Sequence, residues 1–167
     1  NICNLICNEG EALKFISIKI NEPIMNFFIL QIFDSESVEK LKFFLEKIQS
    51  SSKQLKNLIK YRSNNDENFL HILGAKSDKS LNFFLHFLKN EFKQETLEKL
   101  LYSFDHQYFL PLHSAVFSGK IQNLKIIFAS YEENFSVEKI NNILTMKIGE
   151  ETSKNILEIT ENAEIQE

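Results

Sequence analysis

The 167-residue chain has no tryptophan and only four glycines, two prolines, two cysteines and two methionines. So few Gly and Pro leave little room for tight β-turns or a Gly-rich phosphate loop, which points to an all-α chain. The cysteines, Cys3 and Cys7, can begin a zinc site but cannot complete one, because structural zinc takes four ligands. Two reduced thiols of a cytosolic protein are the expected state. Arginine occurs once, at Arg62, and the formal net charge is −4. Lys76 and Lys79 lie close together, but no run of Lys and Arg forms a continuous basic stripe. Nucleic acid is therefore not an expected partner, since phosphate binding calls for a concentrated positive surface. Long apolar runs are missing too. The most apolar cluster, PIMNFFILQIF at 23–33, is interrupted by Asn26 and Gln31 and falls far short of the roughly 20 residues a spanning helix needs. No signal peptide is visible.

What the chain does have is phenylalanine, 16 residues in a composition that is 43% hydrophobic, ample for one continuous core. Its apolar pattern repeats. Leu112 and His113 stand 42 residues after Leu70 and His71, and those stand 40 after Leu30 and Gln31. Ile126 and Ile127 correspond in the same way to Phe84 and Leu85, and these to Phe44 and Leu45. A more regular element runs in the same frame: Leu55, Leu58 and Ile59 reappear as Leu97, Leu100 and Leu101, then as Ile140, Ile143 and Leu144. Spacings of i, i+3 and i+4 place each trio on one face of a short helix. From that helix to the next Leu-His pair the distance is kept, 12 residues from Ile59 to His71 and 12 from Leu101 to His113.

Residues 110–128, LPLHSAVFSGKIQNLKIIF, preserve the pattern best. Pro111 suits the first position of a helix, where a missing N–H is no loss, and Gly119 can take the left-handed conformation that ends one. With Leu112, His113 and Ala115 they fall at the spacing of an ankyrin helix-turn-helix, and the stretch from Asp105 to Phe128 resembles an ankyrin repeat without a gap. The family's capping Thr is Leu110 here, Asn68 in the preceding copy and Asn155 in a partial later one where Leu157 and Glu158 hold the Leu-His places; Asn is a good N-cap, whereas Leu110 and Phe28 cannot cap. Ala115 becomes Leu73 and Phe33, a bulk that separates the helices unless Gly74 relieves it, and Gly119 becomes Ser77 and Ser37.

The expected fold is therefore an all-α, ankyrin-like α-solenoid of about three lengthened helix-turn-helix units, each with an extra short helix. The units fall at about 27–67, 68–109 and 110–154, with a partial unit at 155–167. A repeat of 40 to 43 residues exceeds the roughly 33 of a standard ankyrin unit and overlaps the roughly 40 to 47 of HEAT or armadillo units, which are the rival architecture. Phe15 and Ile18 stand 40 residues before Leu55 and Leu58 and mark the end of a preceding unit. A start at Asn1 rather than Met, and terminal repeats without polar capping units, lead us to expect a piece cut from a larger protein.

No constellation for chemistry stands out. His71 and His113 occupy the signature position, where the resemblance implies a ring that links neighbouring loops. His86 falls on a returning helix, and Asp105-His106 are expected in a solvated loop, with no Ser or Cys nucleophile tied to them. The adjacent acids Glu132-Glu133 and Glu150-Glu151 point apart rather than across a pocket. No catalytic site, cofactor or metal is expected.

The resemblance implies instead a concave face of loops and first helices on which another protein docks. Mapped onto this chain it selects Asn64, Asn65, Asp66 and Glu67 before the second unit and Asp105, His106, Gln107 and Tyr108 before the third. Tyr108, standing where the family has its turn Gly, is the best single anchor. The alternative is a substrate-recognition accessory domain of a larger enzyme whose catalytic domain lies elsewhere. Heavy use of Asn, Lys, Ile and Phe, with lengthened degenerate repeats, resembles effectors that intracellular bacteria secrete. That resemblance implies a host protein as partner, in host cytoplasm.

Overall fold

The computed structural model describes Ile32, residues 37–147 and Ile156. The chain divides into two compact units, Asn1–Gln31 and Ile32–Glu167, and every described residue belongs to the second. The expectations for Cys3, Cys7, Phe15, Ile18, Phe28, Leu30, Gln31, Phe33, Glu150, Glu151, Asn155, Leu157 and Glu158 lie outside the described residues.

Among the described residues all regular structure is helical. The helices are α1 (Val38–Gln49), α2 (Ser52–Lys60), α3 (Phe69–Gly74), α4 (Asp78–Glu91), α5 (Gln94–Leu101), α6 (Pro111–Phe117), α7 (Ile121–Asn134) and α8 (Val137–Thr145). Their starts repeat. From α3 to α6 is 42 residues (Phe69 to Pro111), from α4 to α7 is 43 (Asp78 to Ile121), and from α5 to α8 is 43 (Gln94 to Val137). Like packs on like: α3 lies against α6, and α1 against α4 and α4 against α7. Within a unit α3 packs on α4 and α6 on α7, while α5 and α8 pack on the long helix just before them.

Local chemistry explains most of the boundaries. Ser37, Ser51, Asn68, Ser77 and Ser136 cap α1, α2, α3, α4 and α8, each side chain accepting a backbone N–H of the first turn. Leu110 makes no side-chain cap. There Pro111 takes the first helical position and the ring of His113 accepts the Leu110 N–H at 2.9 Å. Gly119 has φ 65°, the conformation expected of a residue that ends α6, whereas Ser77, its counterpart, serves as the cap of α4.

The core follows the repeating trios. Leu58, Leu97, Leu100, Leu101, Ile140 and Ile143 are buried, with Leu55, Ile59 and Leu144 at the rim. Gly74 is the relief that Leu73 requires: a Cβ there would lie 3.0 Å from Ile127 Cδ1 and 3.2 Å from the Pro111 carbonyl oxygen. Glycine lets α3 approach α6 and α7 although Leu73 replaces a small residue. Aromatic contacts fill the rest, with Tyr61 stacked on Phe69 at 4.3 Å and Phe69 edge-on to Phe84 at 5.9 Å. At the far end the Lys139 ammonium lies 4.3 Å from the Tyr102 ring centre and 4.1 Å from that of Phe135, holding α8 against the end of α5.

Helix ends leave carbonyls without intrahelical partners, and three buried side chains satisfy them, Asn68 within its own unit and Tyr131 and Asn123 across to the preceding one. Asn68 Nδ2 donates to Leu100 O at 2.8 Å, Tyr131 Oη to Leu101 O at 2.8 Å, and Asn123 Nδ2 to Gly74 O at 2.8 Å. Asn68 serves twice, because its Oδ1 also accepts from Leu70 N and His71 N. Asn68→Ala is expected to cost about 2 kcal/mol or more, since a cap and a buried acceptor's partner disappear together. A denaturant midpoint that falls at constant slope reads this out; a midpoint within error of the parent would contradict it.

Candidate functional site

Two turns precede the short helices and have the same internal bonding. In the first, Ser63 N donates to Glu67 O at 2.9 Å and Asp66 N to Ser63 O at 3.0 Å; in the second, Asp105 N donates to Phe109 O at 2.9 Å and Tyr108 N to Asp105 O at 3.1 Å. A short side-chain acceptor at the first position closes each. Ser63 Oγ accepts from Asn65 N and Glu67 N, at 3.1 and 3.2 Å. Asp105 Oδ1 accepts from Gln107 N and Phe109 N, both at 2.8 Å.

At the fourth position of each turn the backbone is left-handed, with φ 61° at Asp66 and 63° at Tyr108. Aspartate adopts this region with modest penalty; for tyrosine the conformation costs roughly 1 kcal/mol relative to glycine. Tyr108 is also 68% exposed, so no internal packing of its ring offsets that cost.

The turns are joined to each other and to the helices. His106 N donates to Asn65 O at 3.0 Å, and its Nδ1 lies 3.0 Å from the same oxygen. His71 Nε2 lies 3.0 Å from Phe109 O, which can only accept, so Nε2 carries the proton and Nδ1 accepts from Asn68 N. Arg62 donates to Tyr61 O and Ser103 Oγ and lies 3.8 Å from Asp66 Oδ1. His113 repeats the Nδ1 arrangement on Leu110 N, which places its proton on Nε2. That atom is buried and has no hydrogen-bond partner. Burial lowers the pKa of both rings, that of His113 to about 4 with the neighbouring His71 adding to the effect. Both are neutral at pH 7.

The residues selected from the sequence separate into two groups. Asn64, Asn65, Asp66, His106, Gln107 and Tyr108 are exposed along one edge, and the bond from His106 to Asn65 brings the two turns together. Glu67 is half-buried, accepting from Ser63 Oγ at 2.8 Å. Asp105 departs from the expectation of a solvated, partner-facing acid: it is 9% exposed and one of its carboxylate oxygens is used inside the turn. His106 is exposed as expected, but it is held to the neighbouring turn rather than free.

Sequence reasoning passed over Phe117, which is 49% exposed. Its ring centre lies 4.9 Å from that of Phe109, and Phe109 lies 6.1 Å from His113, so Phe109 of the turn packs against two rings of α6. The i, i+4 spacing of His113 and Phe117 on α6 carries that signal. Among the described residues no three His, Cys, Asp or Glu side chains gather as a metal-ligand set, and no helix is long and apolar enough to cross a membrane.

Neither a protein-family model nor a curated protein sequence matches the chain. In fold it is similar to a chain of the crystal structure of the yeast ribosomal protein Rps3 in complex with its chaperone Yar1, with a TM-score of 0.64 and 15% sequence identity over 88% of this chain and 89% of that one. At that identity the likeness is one of fold.

Proposed function

We propose that this all-helical chain is an ankyrin-like stack that works as a protein-interaction module, gripping its partner along the turn edge through Tyr108, with Asp66, Gln107 and His106 beside it. One observation carries the reading: a large aromatic ring is held exposed on a left-handed backbone where glycine would be more stable. Strain of this kind persists where the side chain is needed for something other than folding. The repeat of 42 to 43 residues and the stacking of like helices support the solenoid architecture, and the His71 link to the next turn supports the ankyrin resemblance over a HEAT-like one. A protein partner also agrees with the fold likeness to a chain taken from a protein complex. The compositional bias and lengthened units favour an effector that acts on a host protein in host cytoplasm.

Tyr108→Gly separates folding from binding. It is expected to raise unfolding free energy by about 1 kcal/mol through relief of the left-handed strain, and to abolish capture of the partner from a host-cell lysate. Asp66→Ala is expected to weaken capture. If Tyr108→Gly retains full capture, the turn edge is not the docking surface.

A further inference from the structure

A groove of about 310 Å³ runs between α4 and α7, away from the turn edge. One replacement in the repeat falls at it. At the 43-residue offset that relates these helices, Ser130 of α7 stands where α4 carries Phe87, and the serine leaves unfilled the space an aromatic ring would take. Ser130 lines the groove and is 3% exposed. Leu85 and Ile126 give the groove apolar walls. Its polar lining is cationic: Lys89 and Lys125 face it with His86, against a single acid, Glu133, which pairs with Lys89. Lys125 is exposed. In a chain whose formal net charge is −4, this is a local reversal of sign.

We propose that this groove binds a small organic phosphate ester, with Lys125 and the Ser130 hydroxyl on the oxyanion and Leu85 and Ile126 against the organic portion. The volume lies at the lower end of small-molecule sites, about 300 to 1,000 Å³, which suits a monoester. A charge-assisted contact from a lysine and a hydroxyl donor lining the groove provide the recognition an oxyanion needs.

Phenyl phosphate titrated into the 15N-labelled chain tests this. Amides around Ser130 and Lys125 are expected to shift saturably, with Lys125→Ala and Ser130→Ala each weakening binding about tenfold, the loss of one good hydrogen bond to a charged group. Inorganic phosphate probes the oxyanion alone and phenol the ring alone, and both are expected to bind more weakly than the ester. Tyr108→Gly is expected to leave phenyl phosphate binding unchanged, which keeps this site distinct from the turn edge. No saturable shift, equal binding of phenol and the ester, or indifference to Lys125→Ala would each overturn the proposal. Native amide spectra of both alanine variants exclude misfolding as the cause of any loss.

Discussion

Leu100→Asp leaves the chain unfolded at room temperature: this is the largest effect expected of any single substitution. Leu100 is 7% exposed and its register repeats as Leu58 and Ile143, 2% and 1% exposed. The free space beside it, lined by Leu58, Phe69, Phe84 and Leu100 among others, is only about 10 Å³, room for about one water and far too little to hydrate a carboxylate. The substitution forfeits about 2 kcal/mol of apolar burial and adds several kcal/mol for a buried group without a hydrogen-bond donor. The total is on the order of 5 kcal/mol, comparable with the whole stability of a domain this size. Circular dichroism at 222 nm should show the helical signal lost, while Leu100→Met, which conserves volume, should keep it with a cost under about 1.5 kcal/mol. A Leu100→Asp chain melting at the parent temperature would remove α5 from the core.

Acid should weaken the fold well before most carboxylates protonate, and His113 is the main cause. Its folded pKa of about 4 lies below the ordinary histidine value of 6.5, so the folded chain binds this proton less readily than the unfolded one. Stability from the neutral ring is therefore fully present above pH 6.5 and is lost as pH falls from 6.5 towards 4. Between pH 7 and pH 5 the loss amounts to about 2 kcal/mol, and His71, shifted in the same direction by burial, adds to it. The chemistry behind the sign is specific. Protonating Nδ1 of His113 sets a second N–H against the Leu110 N–H it had accepted, in a site where Nε2 is already unpartnered. Urea midpoints at pH 7 and pH 5 measure the effect, and His113→Gln should flatten the difference. An equally steep loss in that variant would move the cause to other groups.

Helix positions were legible in the sequence because they depend on neighbours within about four residues. Leu97, Leu100 and Leu101 announce α5 by spacing alone, Pro111 and Gly119 bracket α6, and Asn68 serves as the cap its identity suggests. The candidate edge was legible in outline for the same reason, since the 42-residue repeat aligns Asp66 with Tyr108. Asp105 was not. Whether an aspartate faces solvent or folds back on Gln107 N and Phe109 N depends on turn geometry, which residue type alone leaves open.

By itself, then, the sequence determined a helical chain, the approximate length of its repeating unit and the residues that start and stop most helices, because these follow from periodicity and capping within single turns. The long helices repeat at 43 rather than 42 residues, so Ile127 takes the place of Phe84 and not of Leu85. Tertiary structure decided which turns and helix ends are tied together, within a unit and from one unit to the next. His71 reaches Phe109 O, Asn68 reaches Leu100 O, and Tyr131 reaches Leu101 O, pairs separated by 38, 32 and 30 residues. It also decided that Ser130 lines a groove where Phe87 fills its own layer, and that Tyr108 stands exposed on a strained backbone. The links and the groove depend on which helix stacks against which, and no local preference within either partner specifies those contacts.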